Sequence, residues 1–232
     1  MREYRYETHL HTSDVSVCGK SPADEMIRAC IAAGYDGTVV TDHINPSTFA
    51  KLDLPGWERK SEHFLKGYRK ACEAARGTDF TVLLGAEFHF FENFNDYLVY
   101  GLTEDILCRE IDDTIFEWGI KRFSAFCRDH DLLLIQAHPF RVDMTMVRPG
   151  LLDGIEVMNG HVNHDSRNFL ARAFADYAGY IKTAGSDAHH VDDVGQGGII
   201  TDHRITDISE IVAEFRKGAK LIIPEGQKQY FE

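Results

Sequence analysis

Short apolar, β-branched runs recur along the chain at 4–8, 37–41, 81–86, 97–101, 132–137, 154–158 and 180–184. Between several of them the apolar positions change to a helical spacing. Ala23, Met26, Ile27, Cys30 and Ile31 form one such stripe, and Phe116, Ile120, Phe123 and Cys127 a second. Phe169, Leu170, Ala173, Phe174 and Tyr177 form a third, and Ile208, Ile211, Val212 and Phe215 a fourth. Strand-like runs alternating with helical stripes predict parallel strands joined by crossover helices. Ser21-Pro22 followed by Asp24 predicts a capped helix start, and Gly34 marks its end. The stretch from Ile44 to about Ser61 holds Pro46, Pro55 and Gly56 and reads as a loop covering a site. With no repeat, low-complexity tract or linker in view, a single domain over residues 1–232 is expected.

Composition removes several classes of function. The 44% hydrophobic and 27% charged content of 232 residues is that of a soluble globular protein. Thirty-seven acidic against 25 basic side chains leave a net charge of −12, which repels polyphosphate, so nucleic-acid binding is not expected. No run approaches the roughly 20 apolar residues that span a bilayer, and Met1–His9 lacks the apolar core of a secretory signal. A cytoplasmic protein without membrane association is the expectation. Cys18, Cys30, Cys72, Cys108 and Cys127 are odd in number and never spaced as CxxC, which argues against a disulfide framework or a zinc knuckle. Nothing in the pattern specifies an oligomer.

The chemistry gathers where the strand candidates end. In order these ends read His9-Leu10-His11, Asp42-His43, Glu87, His138-Pro139-Phe140-Arg141, Asn159 and Asp187-Ala188-His189, with Asp96 standing just before its strand. In a parallel barrel the carboxyl ends of the strands share one face, so residues nearly 180 positions apart converge on one mouth. Imidazoles and carboxylates are the donors preferred by zinc, manganese or iron, and this many imply more than one ion. His9 and His11, two apart on a strand, point to the same side. Glu87 has two oxygens, one for each of two ions. A lone HxH pair is as readily a chance surface feature; the accompanying strand ends argue for the metal.

These residues resemble a known family. His9-Leu10-His11-Thr12, Thr41-Asp42-His43, Gly85-Ala86-Glu87, Ala137-His138-Pro139 and Gly185-Ser186-Asp187-Ala188-His189 are similar, in order, to the five motifs of the PHP (polymerase and histidinol phosphatase) superfamily. The resemblance implies a distorted, TIM-like (β/α)7 barrel of α/β class with two or three divalent metal ions (Zn, Mn or Fe) at its mouth. It also implies hydrolysis of phosphate esters in free-standing members. Carried onto this chain, the pattern puts one ion among His9, His11, Glu87 and Asp187, a second on Glu87 and His138, and a third on His43 and His189. Many members have a further histidine or acid shortly after the HxH motif; here Asp14 and Cys18 compete, and Asp14 is favoured. Many also place a histidine where this chain has Asp96, which makes Asp96 a substituted ligand of the second ion.

Around this set, Arg141 offers a forked donor for phosphate oxygens. Lys20, Asn159, His164 and Arg167 are further candidates for holding a small phosphorylated substrate. The polar segment Gly160–Asn168 enters a helix whose N-terminus favours an anion. The expected reaction is metal-assisted hydrolysis of a phosphate monoester in the manner of histidinol phosphatase, with Arg141, Asp187 and His189 catalytic. Specificity is expected in the Ile44–Ser61 and Gly160–Asn168 segments. Two alternatives stand beside it: a metal hydrolase of the amidohydrolase type, and a PHP module that binds metal without turnover.

Overall fold

The computed structural model describes residues 2–50 and 52–230; Met1, Lys51, Phe231 and Glu232 lie outside them. In chain order the strands are β1 (Tyr4–Leu10), β2 (Gly37–Val40), β3 (His43–Ile44), β4 (Thr81–Leu84), β5 (Ala86–His89), β6 (Asp96–Tyr100), β7 (Leu133–Gln136), β8 (Gly154–Asn159), β9 (Ile181–Gly185), β10 (Ile199–Thr201) and β11 (Lys220–Leu221). The α-helices are α1 (Ala23–Ala32), α2 (Pro46–Ala50), α3 (Trp57–Ala75), α4 (Glu104–Arg109), α5 (Gly119–Asp129), α6 (Asn168–Ala178) and α7 (Ile208–Lys217). All seven apolar runs form strands, and the short β3, β5, β10 and β11 add to them.

The strands assemble as two sheets, β11-β10-β1-β2-β4 and β3-β5-β6-β7-β8-β9. This mixed α/β arrangement corrects two expectations. The sheets are not wholly parallel, because β6 runs antiparallel to both β5 and β7. Nor do the strands close into one hydrogen-bonded barrel. The sheets meet at two seams instead: the chain crosses from β4 to β5 at Gly85, and Leu10 bridges Ala188 just beyond β9. At the second seam the Glu7 carboxylate accepts the N–H groups of Thr8, His9 and Ser186 at 2.9, 3.0 and 2.9 Å. Those donors are spent on a side chain, so the ladder cannot continue there.

Packing explains the helices. An aromatic cluster sits beneath β5 and β6, where the Phe123 ring of α5 lies 4.6 Å from Phe88 and 5.0 Å from Phe90, centroid to centroid. The expected loop at Ile44–Ser61 is instead a short strand, the short α2, and the first turn of the 19-residue α3. Trp57, Phe64, Leu65, Ala71 and Ala75 give α3 a buried stripe that Pro55 and Gly56 obscure in the sequence. Trp57 is in the core, donating from Nε1 to the Leu107 carbonyl at 2.7 Å. In α6 Phe169, Leu170 and Tyr177 face outward, with Tyr177 89% exposed, while Ala171 and Ala175 are buried and Phe174 packs half-buried against the core. Small side chains let this helix approach the sheet closely. The start of α1 is capped from a distance: Asp14 Oδ2 accepts the Ala23 N–H at 2.8 Å, and Ser21 Oγ instead accepts from Val191.

The cysteines are free, and among the described residues no helix is long and apolar enough to cross a membrane. Replacing Phe123 by Ala should lower the unfolding free energy by about 3–5 kcal/mol, read from urea titrations. A loss under about 1 kcal/mol would contradict the central place given to this ring.

Candidate metal centre

The reversal of β6 explains the position of Asp96. A strand running backwards begins where its neighbours end, so Asp96 stands beside Ala137 at the mouth, its carbonyl accepting the Ala137 N–H at 3.0 Å. His9, His11, Glu87, His138 and Asp187 reach the same place from β1, β5 and the ends of β7 and β9. Three sets of donor atoms result, each with all its atoms within 4.8 Å of one another: His9, His11 and Asp187; Glu87, Asp96 and His138; His11, His43 and His189.

Glu87 is central to them. Its Oε2 lies 3.4, 3.2 and 3.1 Å from nitrogens of His9, His11 and His43, and its Oε1 lies 3.3 Å from His138 Nε2. Yet both oxygens are buried without a hydrogen-bond partner, as is His43 Nδ1. Leaving a buried carboxylate in this state is costly, and a divalent cation held by nitrogen and oxygen donors removes the cost. The donor set therefore fits divalent metal.

Electrostatics agree. Burial pushes the Glu87 carboxyl up, but the imidazoles crowded around it, His9 foremost, hold it well below the ordinary carboxylate range. Asp187 is held down likewise, against burial, by His9, His11, His138 and Arg141. Burial, reinforced by His11, lowers His43 to about 3 and His189 to about 4, so both rings are neutral and carry a free lone pair.

Behind the donors stands a layer of fixed acceptors. Asp42 accepts from Thr12 N, Thr12 Oγ1 and Ser16 Oγ at 2.7, 2.7 and 2.6 Å. Ser16 Oγ in turn accepts the His43 N–H at 3.0 Å and lies 3.4 Å from His11 Nδ1. Glu156 Oε1 lies 2.9 Å from His9 Nδ1. His138 and Asp187 hold φ of 28° and 52°, a left-handed backbone that costs on the order of 1–3 kcal/mol outside glycine.

The remaining sequence candidates divide. Asp14 does not join the cluster: one oxygen caps α1 and the other accepts from Lys70 Nζ at 2.5 Å. Cys18, the competing candidate, lines the cavity with Sγ 3.1 Å from His189 Nε2, but belongs to none of the three donor sets. Asp96 does join, with Oδ2 3.9 Å from His138 Nε2 and Oδ1 3.0 Å from His89 Nδ1. Arg141 lines a cavity of about 470 Å³ above the cluster, together with Lys20, His164 and His189. One guanidinium nitrogen donates to Asp187 Oδ2 at 2.7 Å and Asn159 Oδ1 at 2.9 Å, while its Nε is buried without a partner. Asn159 backs the site, donating to Asp187 Oδ2 at 3.1 Å. Arg167 lines an adjoining groove of about 650 Å³, whose wall of His161 and His164 is shared with the first cavity. Of the two segments expected to give specificity, Gly160–Asn168 borders both spaces, whereas beyond His43 the Ile44–Ser61 segment borders neither.

Glu7, Ser16 and Glu156 were not singled out by the sequence reading. A signal existed for two of them: Glu7 and Glu156 are charges inside otherwise strand-like runs, positions a half-buried strand rarely gives to an unpaired acid.

A family model described as PHP-associated (PHP_C) matches residues 165–219. Searching curated protein sequences finds no match. Among solved structures, PsfC from Pseudomonas syringae superposes with a TM-score of 0.66 at 16% identity, covering 100% of this chain and 96% of its own. A two-domain protein from Bacteroides vulgatus containing a predicted PHP-like metal-dependent phosphoesterase gives 0.67 at 14%, with 96% of this chain matched to 65% of that one. The lesion-specific endonuclease PfuEndoQ from Pyrococcus furiosus gives 0.62 at 13%, covering 95% of this chain and 58% of that chain. The PHP-associated model over residues 165–219 and the fold shared with these structures agree with the resemblance read from the five motifs. Since an endonuclease shares the fold, the expectation of no nucleic-acid binding rests on charge alone.

If Glu87 serves two ions, Glu87→Gln should reduce bound zinc or manganese by two equivalents together, measured by elemental analysis after dialysis. Loss of a single equivalent would contradict the shared position.

Proposed function

We propose that this protein is a metal-dependent phosphoesterase acting on a small phosphate monoester. The observation that carries the reading is the buried, unpartnered Glu87 carboxylate among four histidine nitrogens. On this reading His9, His11, Glu87 and Asp187 hold one ion, and Glu87, His138 and Asp96 a second. His43 and His189 hold a third. Divalent ions bound there supply an ionised water near neutral pH and offset charge on the phosphate oxygens. The chain's own groups do the rest. Arg141 lines the cavity and brings its guanidinium toward a phosphate oxygen, and Lys20 adds a positive charge on the cavity wall. Asp187 orients Arg141 through the 2.7 Å contact. His189 is assigned to ion binding and not to protonating the leaving group. Its Nδ1 lies 3.0 Å from the Asp187 carbonyl, a contact only an N–H can make, which leaves Nε2 with its lone pair toward Cys18.

The ester's alcohol portion fits the adjoining groove, reached past His161 and His164. Its volume suits a small organic group. A net charge of −12 favours such a substrate over a polyphosphate strand. An amidohydrolase-type centre is disfavoured because the carboxylate facing both histidine groups is a glutamate, Glu87, where that class uses a modified lysine.

The test is phosphate release from a panel of monoesters with and without manganese or zinc, following the leaving alcohol for diesters. Metal-dependent turnover, lowered at least about 100-fold by Asp187→Asn, is the expected result. Bound metal with no ester hydrolysed would overturn catalysis and favour the non-catalytic module. Shortening the Gly160–Asn168 segment should change the relative rates across the panel. Unchanged ratios would place selectivity elsewhere.

A further inference from the structure

We propose that Glu156 is a positioning residue for two ion-binding histidines at once, holding His9 as the Nδ1–H tautomer and anchoring the backbone of His138. This inference rests on the metal reading above and adds to it a residue outside the five motifs.

Glu156 is buried on β8. The pairing of β8 with β9 shifts register between Glu156 and Met158, and Asn159, three residues along, then meets Glu156 on the same side. In a regular strand these two would face opposite ways. Three donors converge on the two carboxylate oxygens. His9 Nδ1 lies 2.9 Å from Oε1, while the His138 N–H and Asn159 Nδ2 reach Oε2 at 3.0 and 2.8 Å.

An imidazole nitrogen facing an ionised carboxylate carries the proton, so the other nitrogen presents its lone pair. In His9 that other nitrogen, Nε2, lies 3.4 Å from both Glu87 Oε2 and Asp187 Oδ1. At His138 the bond falls on the main chain of a residue whose φ of 28° needs outside support. Asn159 extends the link, donating to Asp187 Oδ2 and accepting from Arg141. One carboxylate thus ties a donor of the His9 set to a donor of the Glu87–His138 set.

Glu156→Gln keeps the shape and removes one acceptor. Its single oxygen can serve either His9 or the His138 and Asn159 pair. The NH2 group must then face His9 Nδ1, forcing the proton onto Nε2, or oppose two other N–H groups. Nitrogen-15 NMR of the zinc-loaded wild type should show His9 protonated at Nδ1 and metal-bound at Nε2. By isothermal titration, Glu156→Gln should weaken zinc binding about 10–100-fold at two equivalents. Turnover of the variant should recover in part at raised metal, which a general loss of structure would not allow. A wild-type His9 protonated at Nε2, or a folded variant with unchanged zinc affinity, would overturn the proposal. If the variant does not fold, the wild-type tautomer decides. Wild-type protein that takes up no zinc would overturn the metal reading itself, and this inference with it.

Discussion

Taking a carboxylate out of water costs several kcal/mol unless opposite charge and hydrogen bonds offset it. Glu87 is fully withdrawn, and no hydroxyl or backbone amide meets its oxygens. What surrounds it is a ring of four imidazoles from three segments of the chain. The surrounding structure is arranged to hold those imidazoles where the carboxylate needs cations. Asp42 and Ser16 fix the histidines on one side, and Glu156 with Asn159 fixes them on the other.

This demand also accounts for the irregular sheet. A closed parallel ladder would spend the N–H groups of Thr8, His9 and Ser186 on strand pairing. Here Glu7 collects them, and the Ser186 hydroxyl as well, so β1 and the end of β9 approach through side chains. The approach is close: a Cβ on Gly185 would stand 2.3 Å from that of His9. Reversal of β6 brings Asp96 to the mouth, and left-handed turns at His138 and Asp187 aim their side chains inward. Strain and broken pairing concentrate where the donors are, while the apolar packing around Phe123 and Tyr6 carries the stability.

The acidic chain and an anionic substrate are compatible for the same reason. Net charge describes the long-range field, whereas the cavity holds Arg141, Lys20 and a donor set suited to divalent cations. Salt screens the repulsion of distant carboxylates; over the few ångströms of the cavity, divalent ions held by that donor set would dominate.

The sequence by itself determined the strand runs and most of the donor set. Metal chemistry admits few residue types, and a period of two places His9 and His11 on one face whatever the rest of the fold does. Choices that turn on partners distant in the chain were decided only by tertiary structure. Asp14 and Cys18 both follow the first motif closely, and Lys70 and the start of α1, both beyond it in sequence, draw Asp14 away. Asp96 becomes a donor because β6 runs backwards, a direction set by pairing with β5 and β7. Glu156 matters because His9, 147 residues earlier, lies against it. Local pattern records the chemistry of a side chain, but its partner is fixed by packing between segments, which no local pattern contains.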